Sequence, residues 1–121
     1  MDKLLSGRRI LVVEDEMLII MMIESMLTDL GCESVTTAAT VVQATALIDG
    51  QAFDAAMLDV NLNGTNSRPV ADALAARGVP FFFSTGNGNH HSMEGYGDRA
   101  ILRKPFMYQD LAATLTGLLP R

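Results

Sequence analysis

Short apolar runs alternate along the chain with longer stretches of helical period. Arg9 to Val13 (RILVV), Phe53 to Val60 (FDAAMLDV) and Val79 to Ser84 (VPFFFS) are too short for capped helices and are bounded by charged or turn residues. This predicts strands buried on both faces. Weaker strands are expected over Val35 to Ala38 and Arg99 to Arg103. Between them the spacing predicts a helix that Asp15 caps and that runs to about Leu30, where Gly31 stops it. A second opens on the capping-box pair Thr40 and Gln43 and carries Ala44, Leu47 and Ile48 to Gly50. A third starts at Asn66 or Ser67, with Pro69 in its first turn, and runs through Val70, Ala71 and Leu74 to Gly78. The last buries a stripe of Met107, Leu111, Leu115 and Leu118. Asn87 to Asp98 has no such stripe and reads as a mobile loop with at most one helical turn. The alternation of strand and helix predicts an α/β, doubly wound, five-stranded parallel sheet covered on both faces.

In an open sheet of this kind ligands gather beyond the carboxyl ends of the strands. Those ends carry Glu14 and Asp15, then Asp59, then Thr85, then Lys104. Asp59 alone would be weak evidence, since Asp is a common turn starter. Converging carboxylates, however, repel one another unless a cation compensates them, and hard oxygen ligands suit Mg²⁺. A carboxylate can also attack phosphorus. A metal, an ammonium and a hydroxyl around it would bind the three equatorial oxygens of a transferring phosphoryl group.

Composition narrows the alternatives. The 121 residues, 49% hydrophobic, suit one domain over 1–121 with no output domain. A net charge of -5 argues against nucleic acid or an anionic membrane as partner. The first ten residues hold no signal-peptide apolar stretch, and Ile19 to Ile23 is too short to span a bilayer, so a cytoplasmic protein is expected. The single Cys32 offers neither an internal disulfide nor a zinc set, and His90 and His91 read as solvated loop residues. Asp54 is expected to cap or begin its strand rather than touch a metal.

The motifs VVEDE, LDVNLNG, FFSTGNG and LRKPF, in this order and spacing, resemble a response-regulator receiver domain of two-component signalling from about Arg9 to Leu119. The resemblance implies a (βα)5 flavodoxin-like fold with Asp59 as phosphoacceptor. It implies Mg²⁺ held by Glu14 and Asp15, by Asp59 and by the backbone carbonyl of Asn61, Asp15 being the direct ligand of the acid pair. Thr85 becomes the switch hydroxyl and Lys104 its ion-pair companion, with Pro105 after a cis peptide bond. A histidine kinase or histidine phosphotransfer protein is the implied donor, and a downstream protein or a phosphate-sink role the implied output. The protein would then be no enzyme in its own right. FFSTGNG and KPF are similar to the stand-alone FAT GUY subgroup with its shortened fourth helix, from which Ser84 and Asn87 depart. Asn63 stands where a proline is usual, which implies a less rigid turn, and Ile101 stands where many receivers carry a switch aromatic. An aspartyl-nucleophile phosphatase of haloacid-dehalogenase type is the alternative, but it needs an acid two residues after the nucleophile, where this chain has Asn61.

At roughly 100° per residue, Ile19, Ile20, Ile23, Met26, Leu27 and Leu30 form the core face of the first helix. Met17, Leu18 and Met21 fall on the other side, beside the acid pair. In receivers this helix, with the loop after the fifth strand, resembles the surface that grips the kinase. Met17, Leu18 and Met21 are therefore expected to touch the kinase, with Phe106 at the rim.

Overall fold

The computed structural model describes residues 5–86, 95–96, 99–104 and 106–119. The chain runs β1 (Arg9–Val13), α1 (Met17–Asp29), β2 (Ser34–Ala38), α2 (Val41–Gly50) and β3 (Ala55–Asp59). It continues through β4 (Asn61–Leu62), β5 (Thr65–Asn66), α3 (Arg68–Ala76), β6 (Phe81–Thr85), β7 (Ile101–Arg103) and α4 (Tyr108–Leu118). Five parallel strands lie in the order β2-β1-β3-β6-β7, so the expected doubly wound sheet is present. Four helices are present among the described residues. The segment on which the shortened fourth helix was expected falls almost wholly outside them, as does Pro105.

The central strands are apolar up to their carboxyl ends because both their faces are covered. Leu11, Val13, Leu58, Phe81 and Phe83 pack with Ala44 and Ile48 of α2 and Val70 and Leu74 of α3. The alternate residues Ile10, Val12, Met57 and Phe82 pack with Ile23 and Leu27 of α1 and Leu111 and Leu115 of α4. Strand residues that alternate between two helix layers leave no polar face, hence unbroken apolar runs rather than period-two patterns.

Several local expectations are corrected. Asp15 does not cap α1: the cap position is Glu16, with no side-chain cap bond. The amides there are taken instead by Glu14, whose Oε2 accepts from the N–H of Asp15 at 3.0 Å and of Glu16 at 3.1 Å. Met107 is exposed at the start of α4, and Leu119 joins the buried stripe in its place. At α2, Thr40 Oγ1 accepts from Gln43 N–H at 3.1 Å, but Gln43 Oε1 reaches the N–H of Ala39, one residue earlier than a capping box requires. Asp54 lies just before β3, where its carboxylate accepts from Arg9 N–H at 2.8 Å and fastens the start of β3 to β1.

The segment after Asp59, read as a polar turn, is a two-stranded antiparallel hairpin of β4 and β5. Its two linking residues, Asn63 at φ 53° and Gly64 at φ 89°, both have positive φ. That combination marks a tight primed turn, for which Asn-Gly is the strongest short sequence signal. Gly64 N–H also donates to Asn61 Oδ1 at 2.7 Å. The turn is therefore well defined, and a proline, fixed near φ −65°, could not occupy Asn63 in it.

Candidate phosphorylation and metal site

The carboxyl ends of β1, β3, β6 and β7 converge on one cleft of about 540 Å³, lined by Asp15, Asp59, Asn61, Thr85, Gly86 and Lys104 among others. One carboxylate oxygen from each of Glu14, Asp15 and Asp59 lies within 4.8 Å of the others. Glu14 is 1% exposed and turned inward. With Oε2 held by two backbone amides, its Oε1 lies 2.5 Å from Lys104 Nζ, a charge contact outside hydrogen-bond alignment. Asp15 keeps a partly exposed carboxylate at the cleft wall.

Asp59 is buried at the end of β3, and its two oxygens have different partners. Oδ2 accepts from Lys104 Nζ at 3.0 Å, and Oδ1 accepts from Asn61 N–H at a long 3.3 Å. Burial pushes the Lys104 ammonium toward its neutral form, but the close Glu14 contact, the Asp59 hydrogen bond and the charge attraction of both carboxylates outweigh it. The net pKa shift is therefore upward, and Lys104 stays charged at neutral pH. Thr85 ends β6 at the cleft wall, and its carbonyl accepts from Lys104 N–H at 2.9 Å. Three clustered carboxylates facing one ammonium leave a negative surplus in an open cleft. This oxygen donor set fits a small hard dication.

The family pattern described as Response regulator receiver domain matches residues 10–116. The chain belongs to that family. The receiver resembles the solution structure of SdrG from Sphingomonas melonis Fr1 at 45% identity and a TM-score of 0.83, covering 93% of this chain and 96% of that one. SdrG in its BeF3-activated conformation aligns at 44% identity and a TM-score of 0.80, covering 95% of this chain and 98% of that one. The receiver domain of the sensor histidine kinase PA1611 from Pseudomonas aeruginosa PAO1, solved with a magnesium ion in its active-site cleft, is 28% identical with a TM-score of 0.77. That match covers 93% of this chain and 98% of that one. The transcriptional regulatory protein TcrA of Mycobacterium tuberculosis is 36% identical over 119 residues, 93% of this chain and 46% of TcrA. The receiver thus spans about half the length of that relative. Receiver domains are signalling modules that work with histidine kinases and bind Mg²⁺ in an acidic site; the acidic cluster is present here.

Outside the cleft the expectations divide. Met17, Leu18 and Met21 are 67%, 81% and 57% exposed, on the face where helical spacing put them. Phe106 is corrected: it is 6% exposed and packs under α4 with Leu111 and Leu115, so it cannot form the rim of a docking surface. Ile101 is partly exposed. Cys32 is half-buried, and burial pushes its thiol up to about 11, which makes it a poor nucleophile at neutral pH.

One group carried no sequence signal. Tyr96 donates its hydroxyl to Asp72 Oδ1 at 2.6 Å, and this bond raises the tyrosine pKa. The ring packs edge-on against Phe81 and Phe83, with Arg68 over its face at 5.6 Å. A lone tyrosine in a Gly-rich stretch has no periodicity to reveal such a contact. Among the described residues, no helix is long and apolar enough to cross a membrane.

Proposed function

We propose that this chain is a stand-alone cytoplasmic receiver of the FAT GUY type. In this reading it accepts a phosphoryl group on Asp59 from the phosphohistidine of a histidine kinase or phosphotransfer protein. The observation that carries the reading is the asymmetric hold on Asp59, with Lys104 on one oxygen, a backbone amide on the other, and Glu14 and Asp15 within metal-sharing distance. A carboxylate so fixed needs little reorganisation to meet phosphorus.

In the transfer, an Asp59 oxygen forms the new O–P bond as the N–P bond of the donor breaks, and that electron pair stays on the imidazole. Lys104 and Thr85 bind the phosphoryl oxygens at the cleft wall. Asp15, Asp59 and the Asn61 carbonyl would hold the Mg²⁺ directly, with Glu14 fixing the geometry of Asp15. When bound, the ion neutralises charge on the phosphoryl oxygens. Met17, Leu18 and Met21 form the face offered to the donor protein, without Phe106. The output is contact with a downstream protein or draining of the kinase. Asn61 counts against a haloacid-dehalogenase reading, because it contributes an amide N–H to Asp59 and no acid.

Incubation with acetyl phosphate and Mg²⁺, followed by intact mass measurement, tests this. The wild type should gain one phosphoryl group and Asp59→Asn none; an acid-labile adduct persisting on Asp59→Asn would sink the assignment.

A further inference from the structure

Lys104 follows the edge strand β7, yet its ammonium sits on Asp59 of β3 and Glu14 at the end of β1. Strand β6 lies between β7 and β3, so the lysine side chain must cross it. Its path is visible at Gly86, where a methyl group would lie 3.6 Å from Lys104 Cδ. On the same strand Ser84 stands in register with Asp59 on one side and Leu102 on the other. Side chains alternate across a strand, and Met57, Phe82 and Leu102 all face the layer of α1 and α4. Two residues beyond Met57, Phe82 and Leu102 come Asp59, Ser84 and Lys104, which therefore share that face.

Ser84 is 1% exposed, and its hydroxyl has no hydrogen-bond partner. A buried hydroxyl normally finds one, and one left without is a cost that the rest of the structure must offset. Lys104 has three N–H donors, and in the resting arrangement the Glu14 and Asp59 oxygens are enough to hold the ammonium. Phosphorylation changes this balance. The Asp59 oxygen that takes phosphorus becomes the bridging oxygen of an acyl phosphate and the other becomes an acyl carbonyl, both weaker acceptors than a carboxylate.

We propose that Ser84 is a positioning residue for Lys104, its buried hydroxyl accepting an N–H of the ammonium once Asp59 carries the phosphoryl group. Ser84 thereby keeps the lysine directed at the phosphoryl oxygens. The inference rests on the phosphoacceptor reading of Asp59 and deepens it. Lys104 stabilises charge on the phosphoryl oxygens both when the group arrives and when water removes it, so loss of its anchor slows both steps.

The test compares wild type, Ser84→Ala and Ser84→Thr. Phosphorylation by acetyl phosphate and decay of the aspartyl phosphate are followed by intact mass, and the Lys104 Nζ signal by NMR with and without beryllofluoride. Ser84→Ala should bind Mg²⁺ as the wild type does and slow both steps roughly tenfold, the weight of one hydrogen bond to a charged group. Its Lys104 signal should change in the beryllofluoride form only, and Ser84→Thr, which keeps the hydroxyl, should restore both readouts. Wild-type rates in Ser84→Ala would overturn the inference, as would a Lys104 signal displaced equally without beryllofluoride, the mark of packing alone. Absence of phosphorylation in the wild type would instead overturn the phosphoacceptor reading beneath it.

Discussion

Lys104 Nζ lies 2.5 Å from Glu14 Oε1, and this contact joins the last strand of the sheet to the first. The ammonium is also 3.0 Å from Asp59 Oδ2, so it is the compensating charge for two buried acids. Lys104→Ala should therefore lower apo stability by ~1–3 kcal/mol, the cost of leaving buried charged acceptors unpaired. Urea unfolding in EDTA and in Mg²⁺ checks this, since the cation should recover more stability in the variant than in the wild type.

The pH dependence of this contribution follows from the raised pKa of Lys104. A lysine whose folded pKa lies above its unfolded value near 10.5 stabilises fully below that value, and its contribution is lost as pH rises through the folded pKa. The stability gap between wild type and Lys104→Gln should thus stay constant from pH 7 to about pH 9.5 and narrow only in strongly alkaline solution. Unfolding midpoints across that range provide the measurement, and a gap closing near neutrality would contradict the ion-pair assignment.

Metal and phosphoryl roles should separate by titration. Asp15→Asn should weaken Mg²⁺ binding roughly tenfold or more, one direct charge contact being worth ~1–4 kcal/mol at close range. Thr85→Ala should leave Mg²⁺ affinity near that of the wild type while slowing phosphorylation. Isothermal titration of both variants against the wild type reads the difference.

The hairpin after Asp59 gives a prediction opposite to the usual expectation for proline. Asn63→Pro should destabilise the receiver by about 1–3 kcal/mol, because φ 53° is closed to a pyrrolidine ring. Gly64→Ala, at φ 89°, should cost ~1–2 kcal/mol. Chemical denaturation of each variant settles the direction.

Replacing Met17 and Met21 together with Ser should slow phosphotransfer from the cognate kinase roughly tenfold, as expected on losing an apolar anchor. Phosphorylation by acetyl phosphate should be unchanged. Equal slowing with both donors would place the damage in the acid site instead.

The sheet was legible because buried parallel strands announce themselves as unbroken apolar runs, and the cleft because each run ended on a chemically distinctive residue. Misreadings arose where side chains chose between near-equal options. Glu14 rather than Asp15 satisfies the first amides of α1, because Lys104 turns the glutamate inward, and that lysine comes from the far end of the chain. Phe106 reads as a loop residue, yet it follows a strand edge directly into the core. The Asn63-Gly64 pair is itself the signal for the tight turn, independent of the proline that is absent at Asn63. No sequence pattern marks Tyr96, whose contacts come from two separate elements, α3 and β6.

The bonds from Glu14 to the amides of Asp15 and Glu16 also set the direction in which α1 leaves the sheet. Met17 opens that helix one residue later. Only Asp15 and Glu16 separate the carboxylate that Lys104 holds from the first residue of the helix. On the proposed reading, the face offered to the kinase begins where the acid site ends.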